Sequence, residues 1–280
     1  MESTTLLIVI VIYNEDFRQC KAFTSLKRSV KKSSIDARFF IYDNSAVPQK
    51  IDPDLAHTNL IYVSDTFNSG ISVAYNSGAR FAREKDIPWI LFSDQDSEFE
   101  EDAVIKYLKA VEQNPHISVF SPILRTASGL IVSPSLFRFH RGFPLKEIQP
   151  GFHSFQKYSP LNSGICISVN TFVLTGGYNE LVKLDYSDFA FVKKLKKVVD
   201  GFFVIPIKVS HNLSSAEKQT ADKAEIRFKY FCEGALQTCE SFTDRLMATI
   251  LLIQRGVKLS LMYNKKVFFL TAANAIIRIK

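Results

Sequence analysis

Leu6-Leu7-Ile8-Val9-Ile10-Val11-Ile12 is an unbroken run of leucine and β-branched side chains. Its length suits a strand, and side chains along a strand alternate between faces. A strand that is apolar at every position must be covered on both faces. This points to the middle of a parallel sheet with helices above and below, and away from a sheet with one wet face. The run stops abruptly at Tyr13-Asn14-Glu15, so polarity changes at the strand's carboxyl end.

The same pattern recurs. A helical spacing of Phe17, Cys20, Phe23 and Leu26 predicts a helix over about 16–32. Arg38-Phe39-Phe40-Ile41-Tyr42 reads as a strand ending at Asp43-Asn44-Ser45, and Asn59-Leu60-Ile61-Tyr62-Val63 as one followed by Asn68-Ser69-Gly70. Residues 71–84 are helical, with Ala74, Gly78 and Ala82 small enough for close packing. Trp89-Ile90-Leu91-Phe92-Ser93 then runs into Asp94-Gln95-Asp96. This alternation predicts an α/β fold with a Rossmann-like, mostly parallel central sheet flanked by helices. Ligands bind such sheets beyond the carboxyl ends of the strands, where all four polar clusters fall.

Asp94-Gln95-Asp96 carries the most chemistry. If the last pleat extends through the triplet, both carboxylates share a face. Like charges so placed need a cation beside them, and a hard one such as Mg2+ or Mn2+ takes oxygen ligands. Two solvated loop aspartates are the alternative for the triplet alone. Three polar neighbours on the same side of the sheet favour a site.

Further along, Ser97 and Glu100 have capping-box spacing and predict a helix start, with Val104, Ile105, Leu108 and Val111 as its apolar face. Val119-Phe120-Ser121-Pro122-Ile123 is a strand. Residues 124–157, broken by Gly and Pro, read as hairpins and loops shaping a substrate pocket. Asn162-Ser163-Gly164 opens a turn into a strand ending at Ser168, 170–174 is a short helix, and Gly176-Gly177-Tyr178 a turn. A helix over about 184–199 begins near Asp185-Tyr186-Ser187-Asp188, where Asp185 or Ser187 could cap it. Pro206 places the strand over 202–209 at an edge or bulge, and that strand ends at Ser210-His211. Helices are predicted over 224–240, 243–255 and from Val267.

Four cysteines without a CxxC pair argue against a zinc site or disulfide framework and for a reducing cytoplasm. No signal peptide is expected, because the N-terminus has no basic segment before its short apolar run. No unbroken run reaches the roughly 18 apolar residues of a bilayer span. The net charge is +7, and ten Lys/Arg against four acids from Lys223 onward place nearly all of it in the tail. A basic tail suits an anionic surface.

Together these motifs resemble family 2 glycosyltransferases of the GT-A fold. More narrowly, the chain is similar to bacterial rhamnosyltransferase-like enzymes of O-antigen and other surface-polysaccharide synthesis. The resemblance covers about residues 5–235. It rests on Val9-Ile10-Val11-Ile12-Tyr13-Asn14, Tyr42-Asp43-Asn44-Ser45, the spacing of Asn68, Gly70, Asn76 and Gly78, Ser93-Asp94-Gln95-Asp96-Ser97, Asn162-Ser163-Gly164, Gly176-Gly177-Tyr178, Asp185-Tyr186-Ser187-Asp188 and His211-Asn212-Leu213, in that order. It implies a catalytic domain over 1–222, with a nucleotide-sugar half over 1–98 and an acceptor half over 99–222. A basic amphipathic helical extension over 223–280 follows.

The resemblance also implies roles. The donor is a dTDP- or UDP-sugar, with rhamnose the first expectation and galactofuranose, galactose or glucose the alternatives. Asp96, with Asp94, holds a divalent cation. His211 is a further metal or diphosphate contact, or else a hydrogen-bonded structural histidine. Asp43 meets the pyrimidine or ribose, Tyr13 stacks on the base and Glu15 holds the ribose. Asn14, Asn44, Asn68, Gly70, Asn76 and Gln95 lie beside the nucleotide, although Gly70 and Gly78 equally suit a turn and helix packing. Ser163, Gly164, Gly177 and Tyr178 belong to the acceptor or sugar pocket. Asp188 is the base of an inverting displacement, with Asp185 the neighbouring candidate. The family pattern usually has an acid two positions after the base and an arginine soon after. Here those places hold Ala190 and Lys193 or Lys194.

The implied acceptor is a lipid-linked oligosaccharide at the inner face of the cytoplasmic membrane, with the basic tail lying on that surface. Packing of the tail on the domain, or in a homodimer, is the other use. No nucleic-acid partner is expected. Two other readings stay open: a nucleotidyltransferase, whose glycine-rich basic loop Tyr13-Asn14-Glu15 does not supply, and a non-catalytic nucleotide-binding module.

Overall fold

The computed structural model describes residues 5–33, 35–51, 59–211 and 220–277. In chain order the elements are β1 (Leu6–Ile12), α1 (Lys21–Ser33), β2 (Ala37–Asp43), β3 (Leu60–Ser64), α2 (Ile71–Glu84), β4 (Trp89–Asp94), β5 (Ser97–Phe99), α3 (Ala103–Gln113), β6 (Val119–Arg125) and β7 (Ile131–Arg138). There follow β8 (Arg141–Leu145), β9 (Gly151–Ser154), β10 (Tyr158–Ser159), β11 (Cys166–Ser168), α4 (Val169–Leu174), α5 (Ser187–Leu195), β12 (Gly201–His211), α6 (Ala221–Gln237), α7 (Phe242–Tyr263) and α8 (Val267–Ile277).

β1 is the central strand its composition predicted. It pairs in parallel with β2 and β4, and β2 with β3, giving the order β4-β1-β2-β3. All its residues are buried. Leu7, Val9 and Val11 face a core shared with Tyr75 of α2 and Phe92 of β4. Leu6, Ile8, Ile10 and Ile12 face a second core with Phe23 and Leu26 of α1 and Tyr107 of α3. Alternation along one strand thus builds two cores. α2 lies so close to β1 that a Cβ at Gly78 would stand 2.5 Å from Val9 Cγ2.

The second half of the sheet is mixed. β11 lies between β4 and β6 and is antiparallel to both. β12 runs parallel to β6, with a register shift between Val204 and Lys208 where Pro206 sits. This is the bulge that the proline predicted.

Four local expectations are corrected. Ser97 and Glu100 do not cap a helix. Ser97–Phe99 is β5, antiparallel to β12, with Ser97 opposite His211 and Phe99 opposite Val209. Ser97 and Phe99 both point inward, so pairing with a distant strand overrides the local capping signal, and α3 starts only at Ala103. α1 begins at Lys21, because Asp16 instead binds the Arg18 side chain and accepts the backbone amides of Gln19 and Cys20 in a turn. α5 begins at Ser187 behind Tyr186, which is left-handed (φ 72°), and no side chain caps it. α7 continues to Tyr263, well beyond Arg255. By length and composition it is apolar enough to cross a membrane. Arg255 and Lys258 interrupt its apolar run and hid this from a count of consecutive residues.

A third core joins the C-terminal helices to α5 and the segment before it. Val182, Tyr186 and Ala190 pack with Phe228 and Phe231 of α6, Leu252 of α7 and Phe268 of α8. All four cysteines are free thiols.

Candidate active site

β4 delivers Asp94 as its last residue, and Gln95 and Asp96 form a turn into β5. The two carboxylates are therefore not successive pleats of one strand face, as the triplet suggested. Asp96 is brought round by the turn. Asp94 is held through both its side chain and its backbone. Its Oδ1 accepts the Tyr75 hydroxyl at 2.7 Å, and its backbone amide donates to Ser163 Oγ at 3.0 Å. Ser163 in turn bonds Ser97 Oγ at 2.6 Å. Gly164, with φ at 88°, donates its amide to Phe92 O at 2.7 Å. Ser163 and Gly164 therefore brace the acidic strand end. Gln95 accepts the Tyr13 amide at 2.6 Å and ties the end of β1 to that of β4. Burial, reinforced by the Asp94 charge, keeps the Tyr75 phenol protonated far above its ordinary range.

Beside these lies a cleft of about 350 Å3 lined by Asn14, Glu15, Arg18, Ser45 and Gln49. Tyr13 is 52% exposed near its rim, a ring available for stacking. Glu15 is half-buried. Burial raises its carboxyl pKa, and Lys21 partly opposes this. Asp43 is fully buried and forms part of the floor beneath the cleft. Its carboxylate accepts the Ser45 amide at 2.9 Å, the Tyr62 hydroxyl at 2.6 Å and Gln49 Nε2 at 3.3 Å. Burial and that bond push the Tyr62 phenol up to about 12. The Asn44 side chain is also buried, with Oδ1 making no hydrogen bond. Gln49 was not anticipated. It also donates to Glu15 O at 2.7 Å and accepts the Phe17 amide at 3.2 Å, closing the cleft wall. A single glutamine in a loop has no periodicity or motif to announce it.

Around Asn68, Gly70 and Asn76 the structure shows loop-holding contacts. Asn68 adopts φ 51° in a loop organised by Asp65, which accepts the amides of Phe67 and Ser69. Gly70 has φ 101°, and a Cβ there would stand 2.5 Å from Lys183 O. Asn76 accepts the Tyr178 amide at 2.8 Å and donates to Tyr178 O at 3.0 Å and Glu180 Oε1 at 2.9 Å. Gly70 and Asn76 thus carry the 176–184 loop. Of the two lysines near the arginine's expected place, Lys194 donates to Gly177 O at 2.7 Å. Lys193 bonds Asp244 and Thr238 O, each at 2.6 Å.

That loop leads to Asp188 in the first turn of α5. The Asp188 carboxyl is pushed up to about 7, chiefly by burial, with the charges of Asp185 and Asp94 adding to it. Its Oδ1 accepts the Phe189 amide at 2.8 Å, which works the other way. The Tyr178 hydroxyl is buried, makes no hydrogen bond, and feels the charges of both Asp188 and Asp94. Asp185 turns instead to α6, where its Oδ1 lies 3.3 Å from Arg227.

Asp94 and Asp96 offer hard oxygen donors suited to Mg2+ or Mn2+, which are commonly held by one or two carboxylates with substrate phosphates and water completing the shell. Among the described residues no group of three His, Cys, Asp or Glu forms a complete metal cage. The His211 side chain lies outside the described residues, as do Asn212 and Leu213. The His211 backbone pairs with Ser97, next to Asp96.

The site therefore has a nucleotide-sized cleft over the β1 and β2 ends, an acidic edge at the β4 end and a raised carboxyl on α5. The model of glycosyl transferase family 2 matches residues 7–173. The dTDP-rhamnosyl transferase RfbF of Shigella flexneri is 26% identical over 189 residues, 66% of this chain and 61% of that protein. The match thus spans less than two thirds of that relative. Crystal structures of S. aureus TarS 1-349 share the fold at 13% identity and a TM-score of 0.60, covering 98% of this chain and 80% of that one. The TarS complex with UDP-GlcNAc gives a TM-score of 0.57 at 12% identity, over 98% and 81% of the two chains.

Proposed function

The chain belongs to glycosyl transferase family 2, and from that premise we propose that it is an inverting glycosyltransferase using a dTDP- or UDP-sugar. One observation carries the reading: Ser163 holds the Asp94 amide at 3.0 Å while its neighbour Asn162 holds Ser187 Oγ at 2.7 Å, so the acidic end of β4 and the first turn of α5, with Asp188, are tied together. Donor and acceptor chemistry need just such a pair of edges.

Asp188 accepts the proton of the acceptor hydroxyl. The freed oxygen bonds to the anomeric carbon as that carbon's bond to the diphosphate breaks, and the nucleoside diphosphate leaves. A carboxyl with a pKa near the working pH is suited to this role. Tyr13 stacks on the base, and the 14–15 and 45–49 backbone and side chains hold the nucleoside. Asp94 and Asp96 would hold a divalent cation at the diphosphate, where it would stabilise the leaving charge. Asp43 shapes the cleft through Ser45 and Gln49.

Rhamnose is the sugar favoured by likeness to RfbF, named a dTDP-rhamnosyl transferase. Galactofuranose, galactose and glucose are the alternatives. The acceptor we propose is a lipid-linked glycan at the inner face of the cytoplasmic membrane. Leu246, Ile250, Ile253, Val257 and Leu261 on α7 are exposed, and Arg245 and Lys258 share the helix. An exposed apolar stripe with basic neighbours suits an anionic interface. Flotation with vesicles containing anionic phospholipid tests this. Ile253→Glu with Leu261→Glu should lower binding, and equal flotation would contradict it.

The donor reading is tested by thermal unfolding with Mn2+ and a panel of nucleoside diphosphates. UDP or dTDP should raise the midpoint. No stabilisation by any of them would sink the proposal.

A further inference from the structure

Within α5, Asp188 Oδ1 accepts the Phe189 amide, which does not account for the turn that precedes the helix. No side chain caps the helix, and Tyr186, which opens it, is an aromatic residue in the left-handed region (φ 72°, ψ −1°). Such a conformation persists only where the surroundings over-determine it. Asn162 holds the next residue, Ser187, through its Oγ at 2.7 Å, and α6 and α7 supply much of the rest. Arg227 of α6 pairs with Asp185 at 3.3 Å, with both side chains less than one fifth exposed. Asp185 Oδ2 is buried and makes no hydrogen bond, which leaves Arg227 as the principal anchor of that carboxylate.

The Phe231 ring meets Tyr186 edge-on at 5.2 Å, and Arg255 of α7 covers Phe231 at 3.7 Å. Gly234 lies so close to the Asp185 carbonyl that a Cβ there would collide with it. At the other end of α5, Lys193 is tied to Thr238 O and Asp244. The Tyr186 hydroxyl donates to His140 O at 3.1 Å, and His140 Nε2 bonds Thr238 Oγ1 at 2.9 Å.

We infer that α6 and α7 form a clamp that sets the Asp185–Asp188 turn, with Arg227 and Gly234 as positioning residues for Asp188. The inference rests on the reading of Asp188 as the base. It makes the C-terminal helices a working part of the site. It also gives Lys193 a structural use, as the tie from α5 to Asp244 of α7.

Hydrogen exchange on the full chain tests the clamp without any substrate. In Arg227→Ala the amides of 186–190 should exchange at least tenfold faster, while those of 90–94 stay within about twofold. Arg227→Lys should recover most of the protection by restoring the charge. Gly234→Ala adds one methyl and should act like Arg227→Ala. It carries the same test if Arg227→Ala does not fold.

Turnover then separates positioning from simple packing. In Arg227→Ala, kcat should fall at least tenfold with donor KM nearly unchanged, and Arg227→Lys should recover most of the lost kcat. Unchanged exchange at 186–190 in the folded variants, or loosening spread evenly over the domain, would overturn the clamp. Normal turnover in Asp188→Asn alone would instead remove the reading on which it rests.

Discussion

Asn162 donates its side-chain amide to Ser187 Oγ at 2.7 Å, and both residues are buried. The next residue, Ser163, holds the backbone amide of Asp94 at 3.0 Å. One dipeptide therefore bridges the acidic end of β4 and the first residue of the helix that carries Asp188. The proposed donor and acceptor edges come from distant parts of the chain, and this bridge ties them together. Asn162→Ala should remove about 1–3 kcal/mol of stability by leaving a buried hydroxyl without its donor. It should also lower turnover more than donor affinity. Urea unfolding beside a donor titration checks both.

The raised Asp188 carboxyl has a pH signature. Its folded-state value of about 7 lies above the ordinary 3.8, so the folded protein holds the proton more tightly than the unfolded chain does. Stability from this group is fully present below the unfolded value and is lost as pH rises through the folded one. Between about pH 5 and about pH 8 the urea midpoint should fall, and Asp188→Asn should flatten that fall. Turnover should move the opposite way, rising through the same window as the base ionises.

Gly78 tests the packing beneath the site. Its missing Cβ would stand 2.5 Å from Val9 Cγ2 of the central strand. Gly78→Ala should therefore destabilise the protein by roughly 1–3 kcal/mol through overpacking, despite alanine's better helix propensity. Chemical unfolding of the two proteins measures it.

Asp96→Ala should weaken the Mn2+-dependent part of nucleoside diphosphate binding. Calorimetry with and without chelator reads this directly. Metal dependence equal to that of the unsubstituted protein would remove Asp96 from the proposed cation site.

Much of this was legible in the sequence, for reasons that particular residues make plain. β1 is apolar at every position because both its faces are core, so its place in the sheet could be read without partners. The polar clusters after β1, β2 and β4 marked the right edge of that sheet. What could not be read depended on contacts distant in sequence. Ser97 and Glu100 looked like a helix cap, but Ser97 faces inward against Ser163 and its strand pairs with β12. Asn76 and Gly70 looked like nucleotide neighbours, and they hold a loop that follows a hundred residues later. Asp185 looked like a rival to Asp188, but the Arg227 pairing that distinguishes them comes from α6.

The most direct test of the account compares Asp188→Asn with the unsubstituted protein in two assays: release of UDP or dTDP from a sugar donor in the presence of its acceptor, and thermal protection by the same nucleoside diphosphate with Mn2+. The account predicts that transfer is abolished while protection stays nearly intact, because Asp188 meets the acceptor and Asp94 and Asp96 meet the donor. Transfer at the unsubstituted rate in Asp188→Asn would contradict it.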